Sequence, residues 1–371
     1  MSAPATPEAR PRRGARSRPR LLDWRAVVGI AISVLLLWWT FRNEDLSEVF
    51  HEIARADPLL FGLATFFATF IFWIRAWRWK ALVDPVHRNT SFRSRFAAVS
   101  IGFMGNNLLP ARIGEFARAY AFSRIEPVPL VASFSTLVIE RLFDAVFVVS
   151  ALFVAMALPD FPDVVAARSF IHGARTLAAL VLAAFIILFL LVMWPQRTVS
   201  AIEKIAKRIL PARFCRPVVD ALEAFLKGVG VLRDPMLLLR ASWWTLVLWL
   251  VNAFGFWLGF RAFGLDLTFT AALFLQSAIA LFVSVPSGPG FFGLFEAAAK
   301  LVLVDLWGQA ETPSLAFAAG FHLAGFIPIT LIGLYYARQI GMSLRTVATT
   351  EEAVEEAVEE QMQHPEDGAP G

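Results

Sequence analysis

The chain has 371 residues, 57% of them hydrophobic and only 17% charged, and its formal net charge is +4 at pH 7. Soluble domains average about 45–50% apolar and 25% charged residues. The apolar residues here also fall in long runs, so the composition excludes an ordinary soluble protein and indicates a polytopic membrane protein. Because there is a single cysteine, Cys215, an internal disulfide framework and a multi-cysteine metal site are excluded.

The N-terminal stretch 1–25 is rich in arginine, proline, alanine and serine, which predicts a disordered basic tail. Such a tail can bind nucleic acid. Directly before an apolar segment, however, it reads more simply as a cytoplasmic anchor, and we expect no nucleic-acid partner. The first apolar run ends in LLLWWTFRNED and has no small-residue cleavage site, so we do not expect a cleaved signal peptide.

Long apolar runs predict the membrane crossings, since a spanning helix needs about 20 apolar residues. Six segments are candidates for full crossings: 26–41, 58–77, 142–158, 177–194, 237–260 and 313–337. Two further apolar regions, 96–109 and 268–285, end at Pro110 and Pro286. Proline interrupts a helix, so these two regions predict broken helices.

The charges in the loops predict the orientation of these segments. The loop 42–57 is mainly acidic and is compatible with the outside of the membrane. The segments 75–95 and 195–235 are rich in arginine and lysine and are expected inside. The connector 195–235 also has helical periodicity, which predicts amphipathic helices on the cytoplasmic face.

With these sides assigned, the segment 142–158 runs from inside to outside. Everything from residue 96 to residue 141 must then start and finish in the cytoplasm. Since 96–109 and 128–139 are both short for a crossing, we predict a re-entrant hairpin that turns at 110–115. Two tilted full crossings would also start and finish in the cytoplasm, and they are the lesser option.

The second half of the chain repeats the first. PARIG at 110–114 and PSGPG at 286–290 lie 176 residues apart, and the order of elements around them is the same. An odd number of crossings in each half gives the halves opposite orientations. We therefore predict an all-α polytopic membrane protein with about six full crossings and two re-entrant or broken helical hairpins, arranged as an inverted-topology repeat. Coincidence is the alternative, because Pro–Gly pairs are common at membrane helix breaks.

This organisation predicts three regions. A membrane domain covers 26–340, with repeat halves of about 26–158 and 177–337. The tail 1–25 precedes it, and an acidic tail, 341–371, follows it. We expect both tails to lie in the cytoplasm of a bacterial cell, with the domain in the inner membrane.

The stretch NNLLPARIGEFARA, residues 106–119, places charges beside a helix break. Each charge at the bilayer centre costs about 2.5–3.5 kcal/mol, so these side chains must face a polar cavity, partner groups or headgroups. If a helix begins near Arg112, then Arg112, Glu115 and Arg118 form one stripe at a helix N-terminus, which favours a phosphate. Asn106 and Asn107 add hydrogen-bonding groups. The alternative is an internal Arg–Glu–Arg salt bridge that only braces the hairpin.

A second charged cluster is ERLFD, which contains Glu140, Arg141 and Asp144. Glu140 and Asp144 share a helix face, and Arg141 can pair with Asp144. The cluster is predicted at the join between the hairpin and the next crossing. There it could neutralise Arg112 or Arg118, hold a coupling proton, or simply anchor the helix at the interface.

The second break offers another set of polar groups. Ser287, Gly288 and Gly290 are expected to expose backbone N–H groups near the helix that bears Glu296. Glu296 is four residues from Lys300, so a self-contained ion pair is the simpler interpretation of that carboxylate. His322 in the last crossing is interpreted as a packed polar residue, with a proton site as the alternative.

Signals of soluble enzymes are missing from the sequence. There is no Walker loop, no dinucleotide-binding fingerprint, no HExxH and no GxSxG. We therefore expect a protein that is not an enzyme, with no cofactor, no metal and no ATP-driven pumping by this chain alone.

The segments GFMGNNLLPARIGEFARAY, ERLFD and VSVPSGPGFFGLFEAA together resemble the lysylphosphatidylglycerol synthase transmembrane family. This flippase-like domain stands at the N-terminus of the multiple peptide resistance factor and alone in many bacterial and archaeal membrane proteins, some of them linked to hopanoid production. The resemblance covers about 22–342. It implies translocation of lipids between leaflets, with Arg112, Glu115 and Arg118 in the family's polar motif. Since 33 residues follow Arg338, we expect no aminoacyl-transferase domain.

The resulting hypothesis is a lipid flippase or transporter that moves an anionic, phospho- or polyprenyl-linked lipid. The expected partners are membrane lipids, and the second candidate partner is a lipid- or envelope-biosynthesis enzyme. The alternatives are a scaffold that binds a lipid for such an enzyme without transporting it, and a membrane transferase that uses Glu140 or Asp144 as a base.

Overall fold

The computed structural model describes residues 24–162 and 230–350, apart from Ala111 and Pro286, and short pieces between them. These pieces are residues 176, 179–180, 183, 193–194, 197–200, 203–204 and 208. The basic tail up to residue 23, most of the predicted crossing 177–194 and of the connector 195–235, and the acidic tail from residue 351 lie outside the described residues.

The described regular structure is entirely helical. The first half contains α1 (Trp24–Phe41), α2 (Leu46–Arg55), α3 (Pro58–Val83), α4 (Phe92–Leu108), α5 (Gly114–Ile125) and α6 (Leu130–Ala157). The second half contains α7 (Pro235–Ala262), α8 (Phe269–Phe282), α9 (Leu294–Lys300), α10 (Glu311–Gln339) and α11 (Leu344–Ala348). A 3₁₀ turn at Gly230–Arg233 precedes α7, a second at Pro289–Phe291 precedes α9, and the π-helical turn Leu301–Leu306 continues α9.

Helices α3 and α7 begin in the same way and pack against each other along their lengths. Asp57 caps α3 by accepting from the backbone N–H groups of Leu59 and Leu60, each at 2.9 Å. Asp234 caps α7 in the same way, and a proline occupies the first turn of each helix. An aspartate cap followed by proline satisfies free N–H groups and presets the backbone angle.

Among the described residues, three helices are long and apolar enough to cross a membrane: Pro58–Val83, Pro235–Ala262 and Glu311–Gln339. A fourth candidate is the pair Ala26–Phe41 and Leu46–Arg55, which is bent by 81°. These results confirm a helical protein of the multi-pass membrane type, with helices of spanning length at the predicted segments 58–77, 237–260 and 313–337. The predicted segment 142–158 is the second part of α6, and the number six stays a prediction.

The first broken element is a helical hairpin, as the sequence predicts, although its second arm differs. Helix α4 ends at Leu108 and α5 begins at Gly114, so the turn, which we call the first elbow, is 109–113. The prediction that 128–139 forms the second arm is wrong, because this segment is the start of α6, which continues unbroken to Ala157. The cluster at 140–144 therefore lies within a long helix.

Helices α4 and α5 approach closely because glycines lie at their contact. A Cβ atom on Gly114 would lie 1.9 Å from the carbonyl oxygen of Gly102, and one on Gly105 would lie 2.9 Å from the Cα atom of Gly114. Small residues allow such backbone contacts between membrane helices. On the other side of the hairpin, the buried Val347 of α11 approaches Gly105, so the first residues of the predicted acidic tail pack onto it.

We expect the substitution Gly114→Ala to disrupt this hairpin. The added methyl group would meet backbone atoms, the oxygen of Gly102 at 1.9 Å and the nitrogen of Asn106 at 2.6 Å, which can yield only if the helices separate. The measurement is the yield of monodisperse protein and its thermal unfolding in detergent. Gly62→Ala is the control: nothing lies within 4 Å of its Cβ position, and alanine is favoured over glycine in a helix by up to about 1 kcal/mol. If the Gly114→Ala protein unfolds at the same temperature as the wild type, that result would contradict this packing.

The second broken element is held by α1. Helix α8 ends at Phe282 and α9 begins at Leu294, so we call 283–293 the second elbow. The backbone N–H of Gly288 donates to Ser33 Oγ of α1 at 3.0 Å. A Cβ atom on Gly29 of α1 would lie 2.8 Å from the carbonyl group of Ser287. The expectation that Gly288 offers a free N–H group is therefore wrong, because α1 already uses it.

The region 75–95 is also different from the predicted cytoplasmic loop. Helix α3 continues to Val83, so Arg75 and Arg78 lie inside it, with exposed fractions of 7% and 0%. Arg95 is buried in α4, where it donates to the carbonyl groups of Ala76 and Thr90. These arginines are not loop charges, because folding buries them, and the predicted orientation rests on the remaining loop residues.

Candidate functional site

A cavity of about 520 Å³ lies between the two elbows. Most of its wall is apolar and contains several phenylalanines, including Phe72, Phe103 and Phe256. Its polar side chains come from both halves of the chain: Arg75, Asn106, Asn107, Arg112, Glu115, Arg141, Asp144, Asn252, Gln276, Ser284 and His322. Ligand sites are typically about 300–1,000 Å³ in volume and are apolar with a few convergent polar groups, and this cavity has that character.

The two elbows touch each other at one wall of the cavity. The guanidinium of Arg112 donates from Nη2 to the carbonyl oxygen of Val283 and lies 5.5 Å from the ring centre of Phe291. Arg112 has a φ of 56° and Phe291 a φ of 61°. Left-handed backbone is rare for side chains of this size and is concentrated at functional sites. Each elbow thus carries one such residue, and the two are in contact.

Arg112 is not part of the charged stripe that the sequence predicts. Helix α5 begins at Gly114, so Arg112 lies in the elbow before it. Glu115 pairs with Arg141 of α6 at 2.8 Å. The Arg–Glu–Arg brace is therefore wrong as well, because its carboxylate is used elsewhere. Among the described residues, no carboxylate forms an ion pair with Arg112, and its buried Nε atom has no hydrogen-bond partner there.

Arg118 lies behind the cavity in a buried ionic network. It donates to both oxygens of Glu140 at 2.9 and 2.8 Å, and its guanidinium lies 4.0 Å from the ring centre of Trp79. Arg78 contacts Glu140 at 2.9 Å and Asp144 at 2.5 Å. Arg118, Arg78 and Glu140 are at most 1% exposed. This network joins α3, α5 and α6 and supports the wall on which Asp144 lies.

The carboxylates of this region do not balance its arginines. Arg141 forms the predicted pair with Asp144 at 3.7 Å, and Arg75 contacts Asp144 at 3.4 Å. The arginines of the cavity wall and the network are Arg75, Arg78, Arg112, Arg118 and Arg141, and the carboxylates are Glu115, Glu140 and Asp144. Within the described part of the chain the cluster thus has an excess of two positive charges. Arg112 and Arg141 are only partly buried, so an anion in the cavity can reach them and neutralise this excess.

His322 lies on the opposite wall of the cavity, and Glu296 contacts it from behind the lining. His322 Nε2 lies 2.9 Å from the carbonyl oxygen of Gly290, and Nδ1 lies 2.6 Å from Glu296 Oε1. A carbonyl oxygen only accepts, so Nε2 carries a hydrogen. The predicted pair of Glu296 with Lys300 is wrong, since Lys300 pairs with Glu311.

The remaining predicted residues divide between the cavity and its surroundings. Asn106 and Asn107 line the cavity; Asn107 donates to Thr330 Oγ1 at 2.7 Å, whereas the buried Oδ1 atom of Asn106 has no partner among the described residues. Gly290 lines it at the second elbow. Ser287 is buried against α1, and Ser287, Arg118, Glu140 and Glu296 do not reach the lining.

Sequence reasoning missed Arg75, Arg78, Asn252 and Gln276. The two arginines were counted as loop charges, although their spacing of three places them on one face of α3. Asn252 and Gln276 are single amides in apolar helices. A polar side chain in the middle of a spanning helix is a functional signal by itself. This signal could have identified both amides from the sequence.

The fold and the cavity define a multi-pass helical membrane protein with a charged internal site. The family described as "Lysylphosphatidylglycerol synthase TM region" matches residues 26–333, so the chain belongs to this family. This match confirms the resemblance drawn from the three sequence segments.

Three relatives are similar to this chain. A UPF0104 membrane protein of Methanothermobacter thermautotrophicus is 22% identical over 86% of this chain and 94% of its own length. A UPF0104 membrane protein of Methanocaldococcus jannaschii is 29% identical over 35% of this chain and 40% of its own length. The glycosyltransferase AglD of Haloferax volcanii is 29% identical over 34% of this chain. The matches to the last two cover only 40% and 20% of those proteins.

Proposed function

We propose that this protein moves an anionic lipid between the leaflets of the bacterial inner membrane, with both termini in the cytoplasm and without catalysing a reaction. The observation that carries this proposal is the charge of the cavity. Its wall contains Arg112, which has no carboxylate partner among the described residues. A phosphate group carries the charge that this site lacks, and a guanidinium can hold two phosphate oxygens at once.

The apolar wall supports a lipid as the bearer of that phosphate. A headgroup at Arg112 would lie among phenylalanines of α3, α4 and α7. The cavity is of the size that holds a headgroup and not a whole lipid. In this proposal the hydrocarbon chains stay in the bilayer while the headgroup passes through the cavity.

The inverted repeat supplies a route between the leaflets. The aspartate–proline starts of α3 and α7 lie 177 positions apart, close to the 176 positions between Pro110 and Pro286. The order long helix, helix, elbow, helix, long helix occurs in α3–α6 and in α7–α10. Sites between such repeats become accessible from each side in turn when one half rocks against the other. We propose this motion for the two elbows.

The second candidate is a lipid-binding scaffold for an envelope-biosynthesis enzyme. The observation that favours it is the similarity to AglD, which is named as a glycosyltransferase and matches over 20% of its length. A scaffold would bind the same anionic lipid and hand it to the enzyme without moving it to the other leaflet.

Reconstitution distinguishes these functions. The purified chain is placed in liposomes that contain a trace of fluorescent phosphatidic acid or of an uncharged fluorescent diacylglycerol, and dithionite reports the fraction in the outer leaflet. A transporter exchanges the anionic probe faster than protein-free liposomes do, and prefers it to the uncharged probe. Binding of phosphatidic acid without exchange supports the scaffold. A preference for the uncharged lipid would contradict an anionic cargo.

A further inference from the structure

A pair of amide side chains forms a separate polar patch on the cavity wall. Asn252 of α7 donates from Nδ2 to Gln276 Oε1 of α8 at 2.9 Å, and both residues line the cavity. Gln276 is only 2% exposed, and its Nε2 atom has no hydrogen-bond partner among the described residues. Buried polar atoms in folded proteins are almost always paired. The free group of Gln276 therefore indicates a ligand that occupies this patch.

This conclusion does not depend on how the two amides are oriented. The oxygen and nitrogen of an amide can exchange places without changing the shape of the side chain. If both amides are turned, Gln276 donates to Asn252 and its oxygen becomes the atom without a partner. In either orientation Gln276, a residue of the cavity lining, keeps one buried polar atom without a partner among the described residues. A group that accepts meets the first orientation and a group that donates meets the second, and a hydroxyl group suits either one.

The patch lies at a defined separation from Arg112. Gln276 and Val283, whose carbonyl oxygen accepts from Arg112, are both in the α8 region. Seven residues of helix separate them, which is about 10 Å along the helix axis. A phosphate at Arg112 alone leaves the amide patch unfilled, whereas a phosphate with a further polar substituent can reach both.

The surroundings of the patch suit a ring with hydroxyl groups. Trp249 and Phe256 are three residues before and four residues after Asn252 on α7, so they lie on the same face of the helix, and both line the cavity. Ile279 and Ala280, three and four residues after Gln276 on α8, also line the cavity. Apolar and aromatic groups around one uncharged polar pair match a neutral ring with apolar faces and polar edges.

We propose that Gln276, held by Asn252, forms a subsite for an uncharged, hydroxyl-bearing headgroup substituent, such as a sugar or a polyol ring linked to the lipid phosphate. This proposal rests on the proposed function, in which the phosphate itself lies at Arg112. The cargo class is then a glycosylated or polyol phospholipid, and Gln276 determines the preference for it over a lipid with a bare phosphate.

The test compares two lipids on the full chain in detergent, with phosphatidylinositol as the polyol probe and phosphatidic acid as the bare phosphate. We expect the wild type to bind phosphatidylinositol more tightly. Gln276→Leu should lower the affinity for phosphatidylinositol about tenfold, which is the loss that one hydrogen bond produces. The affinity for phosphatidic acid should stay unchanged. Native mass spectrometry with lipid titration gives both affinities. Gln309→Leu is the control, because Gln309 lies outside the cavity lining.

Gln276→Leu removes the unpaired Nε2 atom together with the Oε1 atom that accepts from Asn252. The melting temperature without lipid is therefore measured beside the two affinities, so that a loss of stability is told apart from a loss of binding. If the leucine does not fit, Gln276→Met retains the unbranched chain. Equal losses for both lipids, or no loss for either, would overturn the subsite. A wild type that binds neither lipid would instead overturn the anionic cargo of the proposed function, so the two failures are distinct.

Discussion

Glu140→Gln should be the most destabilising of the single substitutions considered for this protein. Glu140 is fully buried and accepts from Arg118 through both oxygens, while Arg78 contacts it at 2.9 Å. The amide lacks the charge that balances these two arginines. Removing one partner from a buried ion pair typically destabilises a protein by about 3–5 kcal/mol. The measurement is the unfolding free energy in detergent by denaturant titration.

Glu52→Gln is the matched control for this result. Glu52 pairs with Arg55 at 3.5 Å, and the two side chains are 35% and 65% exposed. An exposed pair of this kind contributes about 0–1 kcal/mol. The same chemical change should therefore hardly alter the free energy of unfolding there. Glu140 does not line the cavity, so a fall in the unfolding free energy reports on the fold and not on ligand contact. If Glu140→Gln unfolds at the same denaturant concentration as Glu52→Gln, the buried network is not what supports the wall.

Arg112→Lys should fold normally and lose binding of anionic lipid. Lysine keeps the charge and the same backbone preferences, so the left-handed elbow is under no new strain. It has one ammonium group in place of a planar fork, and therefore lacks the flat two-point geometry that holds two phosphate oxygens while another N–H donates to Val283. A charged hydrogen bond contributes about 1.5–3 kcal/mol, so we expect an affinity for phosphatidic acid that is lower by about 10- to 100-fold.

Arg124→Lys is the corresponding control, because Arg124 is an exposed residue of α5 that does not line the cavity. Melting temperature, lipid affinity and leaflet exchange are measured for both variants. Full binding and exchange by a folded Arg112→Lys protein would contradict the role of the guanidinium. A loss of exchange with unchanged binding would indicate that Arg112 acts in the motion between the elbows and not in recognition.

Much of the architecture could be predicted from the sequence, because it depends on local rules. Runs of apolar residues predicted the long helices at 58–77, 237–260 and 313–337, since a helix in lipid must satisfy its own backbone groups and be apolar along its length. Proline at 110 and 286 predicted the two breaks for an equally local reason. The three quoted segments predicted the family, and the family match confirmed it.

The partners of the charged residues could not be predicted in the same way. Helical spacing suggested that Arg112, Glu115 and Arg118 form one group. In the folded protein they have three different environments: Arg112 meets the second elbow, Glu115 pairs with Arg141, and Arg118 pairs with Glu140. Each contact joins different helices and depends on their packing, which glycine contacts such as Gly102 with Gly114 allow.

By itself, the sequence determined that the chain is a helical membrane protein, where its helices break, and which residue types stand at the breaks, because these follow from local hydropathy and backbone chemistry. Only the tertiary structure decided which charges neutralise one another, that Arg112 is left without a carboxylate among the described residues, and that Gln276 faces the same cavity. The physical reason is that the energy of a buried charge or amide depends on the groups within a few ångströms of it. Those groups come from helices that are distant in the chain.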